Sequence, residues 1–79
     1  MKKAKAVYQV HGSEDGVLGI YSNIKLAYER ASEYISDSEV REVKSYARTC
    51  QDFKNGRWAT EIVYTGDVSS SIEKFILNN

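Results

Sequence analysis

No proline interrupts this chain, and cysteine, histidine and tryptophan occur once each. Each scarcity excludes something. Without proline, and with no Gly/Ser tract or low-complexity stretch, nothing in the sequence marks a linker, so residues 1–79 are expected to form a single domain. One cysteine, Cys50, excludes an internal disulfide framework and any cysteine-based zinc site. It fits a reducing compartment, and no apolar run approaches the roughly 18 residues that cross a membrane. The start has no hydrophobic signal core, so a cytoplasmic protein without membrane contact is expected.

An excess of either charge is missing too. Eleven basic and eleven acidic residues give a formal net charge of zero. No global field steers the chain toward nucleic acid or an anionic membrane. "MKKAK" at the start is one candidate for a local basic patch, but solubilising chain ends of that kind are common.

Hydrophobic residues make up 42% of the chain, which suits a globular fold. A chain this short buries only about 60% of the surface its unfolded form exposes, so there is room for one core layer. A buried catalytic cavity would remove much of that layer. Partner binding is easier to accommodate than catalysis.

Residues 5–11, "KAVYQVH", alternate as a strand does, and "VLGIY" at 17–21 is β-branched and aromatic. "GSEDG" between them is rich in turn residues. With His11 opposite Val17, Val10 meets Leu18 and Tyr8 meets Ile20, which predicts a hairpin with one apolar face. Ile24, Ala27, Tyr28, Ala31 and Ile35 then recur at helical spacing, with Ser22 or Asn23 as N-cap.

The second half is less regular. Val40, Val43 and Ala47 suit a helix, but Ser, Thr and Cys are poor helix formers. Asn55-Gly56 suits a type I′ turn. The expectation is a hairpin pairing residues 46–53 with 58–65, in which Thr49 meets Ile62, Cys50 meets Glu61, Arg48 meets Val63 and Tyr46 meets Thr65. Val68, Ile72, Phe75 and Ile76 then suggest a closing helix. The predicted fold is α+β, ββαββα: a four-stranded, mostly antiparallel sheet with two helices packed on one face.

Chemistry-bearing residues are sparse. His11, Glu14 and Asp15 lie close in sequence, but one imidazole and two carboxylates in a turn lack the ligands zinc or calcium requires. Gly19-Ile20-Tyr21 with Tyr34-Ile35 resembles the signature of the GIY-YIG nucleases over five letters. Residues 24–35 are a helical stripe, however, and Ser36 stands where that family has glycine. Cys50, opposite a carboxylate, would not be activated as a thiolate, and the lone imidazole is in the other hairpin. Gly12, Gly16 and Gly19 connect strand to strand, unlike a phosphate loop. No enzymatic activity, cofactor or metal is expected.

The most informative surface is the predicted outer face of the sheet. It would carry Val7, Gln9, His11, Val17 and Tyr21 from the first hairpin, and Lys44, Tyr46, Arg48, Glu61 and Val63 from the second. That is more apolar and aromatic than a face left to water ordinarily is. Tyr21, Tyr46, Arg48, Val63, Val17 and His11 are therefore the candidate partner-binding residues. A protein partner is the leading expectation. Single-stranded nucleic acid, stacked on Tyr21 and Tyr46 beside Lys44 and Arg48, is the alternative. A homodimer closed by the same face is a third.

"YQVHGSEDGVLGIYSNIKLAYERASEYI" resembles small bacteriophage-type accessory proteins: a tyrosine-containing strand, a Gly/Asp turn, a short strand ending in aromatic-Ser, and a helix. The resemblance covers roughly the first half and carries no catalytic residues. It implies a protein that takes over host machinery or counters its defences by binding and inhibiting it.

Overall fold

The computed structural model describes residues 4–78. Seven elements follow in order: β1 (Ala4–Gly12), β2 (Gly16–Tyr21), α1 (Ile24–Ser32), β3 (Glu42–Val43), α2 (Tyr46–Lys54), β4 (Ala59–Tyr64) and β5 (Ser69–Asn78). The strands form one antiparallel five-stranded sheet in the order β2-β1-β5-β4-β3. The fold is α+β, as the composition and patterning suggest, with one strand more than expected and a different order of elements in the second half.

The first half follows its sequence closely. Ser13, Glu14 and Asp15 form the β1–β2 loop, with the Asp15 amide donating to the Gly12 carbonyl at 3.3 Å and Gly16 in the left-handed region at φ 73°. This is a turn followed by a glycine bulge, one of the common short hairpin connections. Gly12 is buried beneath the ring of Tyr34, and a Cβ there would come within 2.5 Å of the ring. The Tyr34 hydroxyl accepts from the Glu14 amide at 3.3 Å, so the turn is fastened to the segment after α1.

Asn23 caps α1, its Oδ1 accepting from the Leu26 amide at 2.9 Å. Ala27 and Ala31 are fully buried, and Ile24, Tyr28 and Ile35 pack beside them, so the whole predicted stripe faces the core. The small side chains let α1 lie close to the sheet. Ser70 uses that closeness: its buried hydroxyl donates to the Ala31 carbonyl at 2.8 Å and accepts from the Val63 amide at 3.2 Å. One side chain thus ties β5, β4 and α1 together.

The second half differs from expectation. Residues 46–54 form a helix capped by Ser45, which accepts from the Arg48 amide. Thr49 and Phe53, one turn apart, are its buried face. Asn55-Gly56 ends this helix and does not turn a hairpin. Gly56 takes φ 92° while Asn55 stays at −80°, the Gly56 amide donates to Phe53, and the Arg57 amide donates to Asp52. These are the bonds of a Schellman cap. The tail, expected as a helix, is β5, and it lies at the centre of the sheet between β1 and β4. Alternation explains it: Ser70 and Ile72 enter the core while Ser71 and Glu73 turn the other way.

Both helices cover one face. Tyr8, Val10, Ile62, Val63 and Ile72 meet Ala27, Ala31 and Phe53 in a single core, with Tyr8 and Phe53 edge-to-face at 5.6 Å.

Candidate interaction face

The helices leave the other side of the sheet uncovered. Strand alternation places Val7, Gln9 and His11 of β1 there, opposite Phe75, Glu73 and Ser71 of β5. From β2 come Ile20, facing Gln9, and Val17, facing His11. Ala59, Glu61 and Tyr64 of β4 and Glu42 of β3 complete the surface. Ile20 and Val17 are 61% and 55% exposed, and Phe75, Leu77 and Tyr64 are exposed as well. An apolar band thus runs over β2, β1 and β5, with carboxylates on the β4–β3 side. At one end of the band Val7, Gln9, Ile20, Phe75, Ile76 and Leu77 line a shallow groove of about 300 Å³.

His11 sits where the band meets the acidic side. Its Nε2 lies 3.4 Å from Glu73 Oε1 and within hydrogen-bonding contact of Gln9 Nε2.

His11 and Val17, two of the six candidate residues, are cross-strand neighbours on the open face. The placement of the other four is corrected. A bulge between Val10 and His11 leaves Leu18 without a direct partner and shifts the register, so Val10 meets Gly19 and Tyr8 meets Tyr21. Tyr21 therefore turns toward the core and Ile20 takes its place outside. A second bulge between Glu61 and Val63 sends Ile62 and Val63 both inward; Val63 is completely buried and Tyr64 points out in its stead. Tyr46 and Arg48 lie on α2, since the strand they were assigned to does not form.

Tyr46 packs edge-to-face on Tyr28 at 5.4 Å, and the Cys50 thiol one turn on pushes its phenol above the ordinary value. The Tyr28 hydroxyl donates to the Lys44 carbonyl at 2.6 Å, holding the start of α2 against α1. Tyr21 and Tyr46 accordingly do not form adjacent stacking platforms, and the Lys44 ammonium is engaged elsewhere. It lies 2.7 Å from Asp52 Oδ2 and contacts Thr60 Oγ1, which itself donates to that carboxylate at 2.7 Å. Lys44 first, then Thr60, holds the Asp52 carboxyl below the usual carboxylate range. The trio fastens α2 to β3 and β4. Lys44 lowers the pKa of the carboxylate that accepts from Thr60, which makes it a weak base for that hydroxyl.

Arg48 lines a second cleft of about 380 Å³ with Glu42, Lys44, Ser45, Glu61 and Tyr64, where β3 stops and α2 begins, at the acidic margin of the open face. Among the described residues no three His, Cys, Asp or Glu side chains gather where they could hold a metal ion. None of the described helices is long and apolar enough to cross a membrane. Met1, Lys2 and Lys3 of the basic opening lie outside the described residues.

Ile20, Tyr64, Phe75 and Leu77 are the exposed residues that the sequence reading missed. The signal for Phe75 and Leu77 was their period of two, obscured by Ile76 between them. Ile20 and Tyr64 carried no signal, because a bulge is not written in the hydrophobic pattern. Compared with protein-family models, with curated proteins and with solved structures, the chain matches none of them.

Proposed function

We propose that this chain is a non-enzymatic protein-binding module that acts by occlusion, and that its contact surface is the open face of the sheet. The observation that carries the reading is the apolar band of Val17, Ile20, Val7, Phe75 and Leu77 on the side no helix covers. Contiguous apolar surface flanked by polar groups is how contact sites differ from ordinary surface. Glu42, Glu61 and Glu73 on the same face favour a partner that sets basic side chains beside an apolar ridge. They also oppose a phosphate backbone. The setting follows the resemblance of the first half: a phage-encoded inhibitor or modulator of a host or defence protein.

The test is affinity capture from host lysate with the wild-type chain and with a Val17→Lys/Ile20→Lys variant. Both positions are exposed, so the variant is expected to fold. A specific partner held by the wild type and released by the variant supports the reading. A partner retained equally by both removes the face from consideration.

A further inference from the structure

The sheet does not end squarely. β2 stops at Tyr21, opposite Tyr8, and β4 begins at Ala59, opposite Glu73. Beyond those points the ladder continues in β1 and β5 alone, from Val7↔Phe75 to Ala4↔Asn78. This two-stranded ribbon extends past the strands on either side of it, and the molecule's extents of 49 × 24 × 17 Å are in keeping with such a projection. An isolated pair of strands is only marginally stable in water. In this one the β5 strand is apolar on both sides: Phe75 and Leu77 face one way and Ile76 the other, all substantially exposed.

Among the described residues, no strand pairs with the outer edge of the ribbon. The Lys74 amide donates sideways to the Trp58 carbonyl at 2.7 Å, so β5 turns its even-numbered peptide groups toward β4. Alternation then points the N–H and C=O of Ile76 the same way, past the end of β4, while Phe75 and Leu77 bond to β1. Edge strands of monomers are ordinarily blunted by a charge, a proline or a bulge. Residues 75–77, "FIL", have none of these.

We propose that this edge pairs with the same edge of a second copy of the chain, β5 against β5 in antiparallel fashion about a two-fold axis. Antiparallel pairing of identical edges is self-complementary and closes at two copies. A net charge of zero puts no overall repulsion between the copies. The exposed parts of Phe75, Ile76 and Leu77 amount to on the order of 250 Å² per copy, an apolar share of the roughly 800 Å² per partner that a stable interface buries. Pairing would join the two sheets and set the two open faces side by side. The inference rests on the edge and is independent of what the open face binds.

Sedimentation equilibrium from low micromolar to millimolar concentration tests it, using the wild type, Ile76→Pro, Ile76→Lys and Ile20→Lys, each checked for folding by circular dichroism. Proline at position 76 removes only an amide aimed at the free edge, and lysine installs the missing guard charge. The wild type is expected to dimerise, with Ile76→Pro and Ile76→Lys each weakening the dimer by about tenfold or more and Ile20→Lys affecting it least. The Ile76 amide is expected to gain protection from hydrogen exchange as concentration rises, while the Phe75 and Leu77 amides are protected throughout. A wild-type monomer at every concentration overturns the proposal. So does a dimer that survives both Ile76 variants, or one that only Ile20→Lys disrupts, which would be a face-to-face dimer.

Discussion

Gly12 shows how much a single position decides in a core this small. Its backbone needs no left-handed conformation; what it needs is the absence of a side chain, because the Tyr34 ring lies where a Cβ would be. Gly12→Ala is expected to destabilise the fold by about 1–3 kcal/mol, the usual cost of forcing one group into a packed site. Urea titration measures this. Adding Gly12→Ala to Tyr34→Ala should cost almost nothing further, since the clashing ring has gone, and full additivity would show that the glycine acts in some other way. Ile35 is the opposite case, a β-branched side chain at φ 47°. A left-handed β-branched residue is costly. Here it follows the end of α1 and packs against the core, so burial offsets the strain.

At the scale of elements, α2 illustrates how one signal can serve two structures. Asn55-Gly56 suits a type I′ turn and equally a helix terminus, because both need glycine at positive φ. What distinguishes them is upstream: Ser45 as cap, then Thr49 and Phe53 at helical spacing. The helix is held to the sheet by Lys44, Asp52 and Thr60, and that contact gives it a pH dependence. Asp52 has its carboxyl lowered in the folded chain, so it contributes stability above its ordinary value of 3.8. That contribution is lost as pH falls from there through the lowered folded value. Thermal unfolding followed across acid pH should therefore show a decline in the wild type that is shallower in Asp52→Asn. Parallel curves for the two proteins would mean that the ion pair leaves the folded state no more stable than the unfolded one.

For the whole molecule the deciding element is β5. It pairs with β1 on one side and β4 on the other, and it supplies Ile72 to the core and Ser70 to the α1 contact. A chain truncated after Asp67 would leave β1-β2 and β3-β4 with nothing between them. Such a truncation is expected to abolish cooperative unfolding entirely, as read by circular dichroism in denaturant. A closing helix lying on the outside of a complete sheet would have left a destabilised but cooperative domain. The same central position carries β5 out beyond its neighbours into the ribbon, so the strand that organises the core also presents the exposed edge.

The sequence by itself determined the class of fold, the first hairpin and its turn, and α1 with its cap and buried stripe. These depend on contacts between residues near one another in the chain, and periodicity records such contacts. The uncovered sheet face was legible as well, and three of its β1 residues (Val7, Gln9 and His11), together with Val17, stand where alternation puts them. Tertiary structure decided the rest. Whether residues 46–54 and 69–78 became helix or strand depended on which one the sheet lacked at its centre, a question of pairing across the whole chain. The two bulges decided which side of each chain reaches solvent. One inserted residue reverses every side chain beyond it, so Tyr21 and Val63 went inward while Ile20 and Tyr64 came to the surface.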